Sequence, residues 1–148
     1  VYGLLDHYRP ERLTLVARRP EQAEALAADL DGYDATDALR VTTFDDAAPA
    51  VRDSRLLVNA TPLGMAPDHA DQTPWPDVDA LHNEQVAYDL VYNPEETRFL
   101  RDAAAQGATT IGGLDMLIEQ AAAAYRQWTD RDMPTDAVRE ALRADARS

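Results

Sequence analysis

LVNATPLGM, residues 57–65, is the stretch on which the fold turns. Leu56-Leu57-Val58 has the composition of a buried strand, and it breaks at once into Asn59-Ala60-Thr61-Pro62, with Gly64 close behind. A core strand that ends in small polar residues and a proline-rich loop leaves its backbone open to a ligand. An ordinary loop begins in the same way, so the neighbouring elements have to separate the two readings.

Those elements alternate. Val1 to Tyr8 reads as the end of a helix, and Arg12 to Ala17 as a strand. Pro20 to Leu30 follows as a helix, with Ala23, Leu26, Ala27 and Leu30 at helical spacing and Gly32 placed to end it. Leu39 to Phe44 is the next strand, then a short acidic helical turn to Arg52 with Asp45-Asp46 as its starting cap. Leu56 to Ala60 is the third strand. Residues 61–83 hold Pro62, Pro67, Pro74 and Pro76 and read as a long structureless loop, which in a compact domain points to function.

Gln85 to Val91 is a fourth strand. Asn93-Pro94-Glu95-Glu96 predicts a helix start, with Asn as cap, Pro at the first helical position and Glu as in a capping box. That helix runs to Gln106 and stops at Gly107. Ala108 to Ile111 is a short strand, Gly112-Gly113 a turn, and Leu114 to Trp128 a long helix. Its apolar stripe, Leu114, Leu117, Ile118, Ala121, Tyr125 and Trp128, reads as core. A last amphipathic helix spans 136–145.

Such alternation predicts an α/β fold, a doubly wound and mostly parallel sheet with helices on both faces. Ligands of these sheets lie outside the carboxyl ends of the strands. Asn59-Ala60-Thr61, Arg18-Arg19 and Val91-Tyr92 all fall there.

Composition narrows the functions. The 148 residues suit one domain with a real core. There is no cysteine, so disulfides and thiolate metal sites are excluded. His7, His69 and His82 are scattered without metal-ligand spacing, so no metal site is expected. No apolar run approaches the roughly 18 residues of a membrane span, and a cytoplasmic protein is expected. The net charge is −13, every basic residue is Arg, and Asp dominates the acids. That charge argues against nucleic acid and resembles a salt-adapted surface, whose self-repulsion high salt screens.

In dinucleotide-binding folds, an acid at the end of the second strand accepts from the ribose 2′-hydroxyl of NAD. Here the strand ends in Arg18-Arg19, with no acid until Glu21. Guanidinium groups pair with a 2′-phosphate and offer nothing equivalent to a hydroxyl, which favours NADP. A solvated arginine pair is the alternative. The first strand and glycine-rich turn that should precede this one are missing, so the sequence reads as a piece of a larger fold.

LVNATPLGM, AYDLVYNPEETRFL (87–100) and TTIGGLDMLIEQAA (109–122), with VARRPEQAEAL (16–26) and the closing Met133-Pro134, together resemble the C-terminal NADP-binding domain of shikimate dehydrogenase. The resemblance implies a Rossmann-like domain over residues 1–133. It also implies a C-terminal helix, 134–148, that packs on an N-terminal substrate domain absent from this chain. It implies NADP as cofactor, held by Arg18 and Arg19 with Asn59, Ala60, Thr61, Leu90 and Gly113. Tyr92 and Gln120 fall at substrate-contacting positions, and Asp115 stands where the family often has Gly.

The family's catalytic Lys and Asp belong to the substrate domain, so no catalytic residue is expected here and the chain alone is expected to be inactive. Without that domain the last helix is expected to leave Val138, Ala141 and Leu142 exposed. The implied reaction is reversible reduction of 3-dehydroshikimate to shikimate with NADPH. The implied partners are that substrate and the missing domain, with a homodimer allowed. Two alternatives remain open: an NAD-using quinate/shikimate dehydrogenase, and a non-catalytic nucleotide-binding or interaction module.

Overall fold

The computed structural model describes residues 1–34 and 37–145. The chain divides into two compact units, the first Val1–Asp53 and the second beginning at Ser54. In the first, a short π-helical segment (Leu4–Tyr8) precedes β1 (Leu13–Val16), α1 (Pro20–Asp29), β2 (Leu39–Thr42) and α2 (Ala48–Asp53). β1 and β2 pair in parallel, with Leu13 opposite Leu39 and Val16 opposite Thr42. Parallel neighbours need a crossover, and α1 supplies it, packing on both strands. The Asp34 carboxylate sets the entry into β2 by accepting from Ala38 N–H at 2.8 Å and Leu39 N–H at 2.9 Å.

Two sequence expectations need correction here. Gly32 does not end α1 as a left-handed terminus; it lies inside a 3-10 turn, Asp31–Tyr33, that follows the helix directly. The hydrogen bonds Tyr33 N–H to Leu30 C=O (2.9 Å) and Asp34 N–H to Asp31 C=O (3.2 Å) close this turn, so the chain leaves the helix without a left-handed residue. Asp45-Asp46 does not start α2 either. Asp46 takes the Thr43 hydroxyl at 3.1 Å, and Ala47 C=O accepts the first helical bond, from Val51 N–H.

The second unit holds β3 (Leu56–Asn59), β4 (Val86–Asp89), α3 (Arg98–Ala105), β5 (Thr109–Ile111), α4 (Leu114–Thr129) and α5 (Thr135–Asp145). The three strands pair in parallel in the order β3-β4-β5. Burial along β4 has period two: Gln85, Ala87, Asp89 and Val91 are buried, while Val86, Tyr88 and Leu90 are half-buried. α3 packs on β4 and β5 and buries Phe99, Leu100 and Ala103. β3 is not the fully buried strand its composition predicts. Leu56 and Val58 are 45% and 43% exposed, because alternation puts them on the face opposite Asn59, which is 2% exposed.

Residues 61–83 are ordered by their own packing rather than structureless. Gly64 N–H bonds His69 C=O, His69 N–H bonds Met65 C=O, and Ala66 N–H bonds Asn93 C=O, each at 2.9 Å. Trp75 is buried with its indole N–H on Asp77 C=O at 2.8 Å, and Ala80 and Leu81 are buried behind it.

α3 does not start at Asn93-Pro94. Its N-cap is Thr97, whose Oγ1 accepts from Leu100 N–H at 3.3 Å. The same hydroxyl donates to the buried Asp89 at 2.6 Å, a second bond that neither Asn93 nor the exposed Glu95 makes. The other end follows the sequence. Gly107 adopts φ +85°, with Gly107 N–H on Ala104 C=O and Ala108 N–H on Ala103 C=O, the paired bonds of a Schellman terminus.

The apolar stripe of α4 is core only near its start. Leu114 and Ile118 are buried, whereas Ala121 is exposed and Trp128 is 82% exposed. The helix begins against the loop after β4, and α5 packs on it. Arg139 bonds Asp115 and Asp136 at 2.9 Å each, and Arg143 bonds Glu95 at 2.8 Å. Val138 is half-buried, while Ala141 and Leu142 are exposed.

Candidate functional site

The site is built at the carboxyl end of β4. Asp89 is wholly buried in an apolar strand, and its two oxygens take three donors. Oδ1 accepts from Asn59 Nδ2 and from Val91 N–H, each at 2.9 Å, and Oδ2 accepts from the Thr97 hydroxyl at 2.6 Å. Buried polar groups need such partners. Asn59 spends its side chain the same way. Its amide also donates to Leu63 C=O at 2.9 Å, and its Oδ1 accepts from Thr61 N–H at 3.0 Å and Thr61 Oγ1 at 2.7 Å.

The side chain of Asn59 therefore shapes the 59–63 turn and has no capacity left for a ligand. What the turn offers outward is Ala60, which is exposed, and Thr61, which is half-buried. Leu90 is held between these groups through its own backbone, with N–H on Asn59 C=O at 3.0 Å. Its side chain is half-buried, on the face opposite Asp89.

Gly113 closes the cluster from the other side. A Cβ there would lie 2.5 Å from Leu90 O and 2.7 Å from Val91 O. The start of α4 is thus pressed onto the β4 loop, with Gly113 N–H on Val91 C=O at 3.2 Å. Asp115, two residues further, pairs with Arg139. That hydrogen bond, against a smaller cost of burial, raises the guanidinium pKa above its ordinary value.

Tyr92 is 47% exposed just after this cluster, and Gln120 is exposed nearly two turns into α4. Among the described residues neither side chain has a hydrogen bond. The other candidate residues belong to the first unit. Arg18 and Arg19 are exposed at the end of β1, and Arg19 is the N-cap of α1. Among the described residues neither forms an ion pair. Two guanidinium groups without an ion pair at a helix start fit an anion such as a 2′-phosphate.

Sequence reasoning missed Asp89 and Thr97. The signal for Asp89 was there: a charged residue at a buried, period-two position of Val86–Asp89. Nothing local marked Thr97 over Asn93 as the cap. Among the described residues no group of three His, Asp or Glu side chains could hold a metal, and no helix is long and apolar enough to cross a membrane.

The chain is similar to known proteins in sequence and in fold. Residues 113–143 match the family "Shikimate 5'-dehydrogenase C-terminal domain". The chain is 71% identical over 145 residues to a shikimate dehydrogenase (NADP(+)) of Salinibacter ruber, covering 98% of this chain and 51% of that protein. Among solved structures, shikimate 5-dehydrogenase of Thermus thermophilus, in complex with NADP(H) and shikimate, superposes with TM-score 0.71 at 37% identity. The match covers 88% of this chain and 45% of that one. Quinate dehydrogenase of Corynebacterium glutamicum, in complex with NAD, superposes with TM-score 0.83 at 29% identity, covering 97% and 49%. The chain spans about half the length of these relatives. In sequence and in fold the chain is similar to the shikimate dehydrogenases over about half of their length, and its residues 113–143 match the C-terminal domain of that family.

Proposed function

We propose that this chain is the nucleotide-binding half of an NADP-dependent shikimate dehydrogenase, acting in reversible reduction of 3-dehydroshikimate to shikimate. The observation that carries the cofactor assignment is the unpaired Arg18-Arg19 at the N-terminus of α1, with no acid before Glu21. These arginines bind the 2′-phosphate. Ala60 and Thr61 line the cofactor on the turn that Asn59 shapes. Leu90 sits against the nicotinamide, and Tyr92 and Gln120 contact substrate. NADPH supplies the hydride, and the protein supplies its orientation. The sequence has no lysine, so the lysine acid–base group that the resemblance implies is not among these residues. The enzyme is proposed to be cytoplasmic, with no nucleic-acid or membrane partner, and a homodimer fits the reading.

The test is Arg18→Ala, measured as binding of NADP+ and NAD+ to the same preparation. A charge-assisted pair of about 1.5–3 kcal/mol predicts NADP+ affinity down about 10- to 100-fold with NAD+ unchanged. Equal losses for both nucleotides would remove the 2′-phosphate assignment and favour the NAD-using quinate/shikimate reading, which the NAD-bound neighbour supports. Failure of the unsubstituted protein to bind either nucleotide would overturn the nucleotide-binding reading and favour a non-catalytic interaction module.

The net charge of −13 gives a second expectation. Screening by salt relieves self-repulsion, so the thermal midpoint rises between low and molar KCl. A midpoint that is flat or falls with KCl contradicts the salt-adapted reading of the surface.

A further inference from the structure

We propose that Asp89 is a positioning residue for hydride transfer, fixing where Leu90 and Tyr92 are presented at the carboxyl end of β4. The proposal rests on the function proposed above. Packing alone gives no reason for a carboxylate here, since the neighbouring inward position is Ala87 and both residues are fully buried. Burying an acid is costly unless several donors meet it. Asp89 meets three, and they come from three segments: Asn59 at the end of β3, Val91 in the β4 loop and Thr97 at the cap of α3.

These segments carry or border the candidate contacts. The bond from Val91 N–H back to Asp89 turns the chain immediately after the strand. Val91 C=O is taken by Gly113 N–H, and Leu90 N–H by Asn59 C=O. Leu90 is thus tied to β3 through its own N–H and to the start of α4 through Val91. The Asp89 carboxylate joins that backbone to β3 and α3. Supports of this kind hold reacting groups to within a fraction of an ångström, and misplacement by about 1 Å costs about 100-fold in rate.

The experiment uses the natural full-length protein with Asp89→Asn, which keeps the shape and replaces one acceptor oxygen by an amide. Four quantities are read: kcat for NADP+-linked shikimate oxidation, KM for shikimate, Kd for NADP+ and the urea midpoint. Positioning predicts kcat per folded molecule down about 10- to 100-fold, with Kd for NADP+ within about threefold. Should Asp89→Asn fail to fold, the pair Thr97→Val and Thr97→Ser decides. Val removes the donor to Asp89 and lowers kcat, and Ser restores it. Unchanged kcat per folded molecule in Asp89→Asn, or in Thr97→Val where that pair is used, overturns the assignment of Asp89 alone. So does a Thr97→Val loss that Ser does not rescue. A wild-type protein that does not oxidise shikimate overturns the proposed function, and this assignment with it.

Discussion

Gly113→Ala is expected to destabilise the second unit by about 3 kcal/mol or more, at the upper end of overpacking costs. The added carbon would meet the main chain of the β4 loop, 2.5 Å from Leu90 O and 2.7 Å from both Leu90 C and Val91 O. No rotamer relieves such a contact, because the obstructing atoms are main chain. Either α4 lifts from the β4 loop and loses the Gly113–Val91 hydrogen bond, or the loop moves and takes Leu90 with it. The buried Trp75 reports unfolding of this unit in urea, whereas Trp128 is already exposed. The midpoint should fall at unchanged slope. Gly32→Ala is the control, since a Cβ there meets nothing within 4 Å. It should leave the midpoint nearly unchanged or raise it slightly. Equal midpoints for the two variants would refute the close-approach argument.

Asn59→Asp carries the second large effect, from the exchange of a single amide for an oxygen. The Asn59 amide donates to Asp89 Oδ1 at 2.9 Å inside the core. An aspartate would instead set two carboxylates at hydrogen-bonding distance, and both cannot ionise there. One must hold a proton in the folded state, so its folded pKa lies above its unfolded one. A raised folded pKa means the native state binds more protons, and stability falls as pH rises. The variant should therefore be destabilised by about 3 kcal/mol or more at neutral pH and recover part of the loss on acidification toward pH 5. A variant whose stability gap from wild type stays constant over that range would show that Asn59 and Asp89 do not share a buried contact. The 59–63 turn moves with the same network, so nucleotide affinity should weaken alongside stability.

The two expectations share a cause. At the end of β4, hydrogen bonds and close backbone packing from β3, α3 and α4 locate one short loop. Apolar burial contributes around it, through Phe99, Leu100, Ile118 and Trp75. The candidate contacts themselves, Ala60, Thr61, Leu90 and Tyr92, are exposed or half-buried. Residues held this way stay available to a ligand while their backbone is fixed by others.

What the sequence determined by itself was what period and punctuation encode. Alternating strands and helices announced parallel pairing, since a short strand followed by an amphipathic helix can return only by a crossover. Gly107 ended α3 where it was expected, because glycine takes a left-handed terminus without the strain of a Cβ. The strand ends at Arg18-Arg19, Asn59 and Val91-Tyr92 were legible as breaks in apolar runs. Tertiary structure alone decided which competing polar residue would be used. Asn93 and Thr97 are both competent helix caps, and only Thr97 also reaches a buried carboxylate that lies eight residues back in sequence. Asn59 looked like a ligand-facing side chain until its partners, up to thirty residues away, took all of its hydrogen-bonding capacity. Gly113 looked like a turn glycine, and the β4 loop makes it a point of contact between main chains. Leu56 and Trp128 look like core in any local window, and a residue is core only when another element arrives to cover it. A local pattern states what a residue can do; the distant partner settles which of those things it does, because hydrogen bonds and burial are satisfied in space and not along the chain.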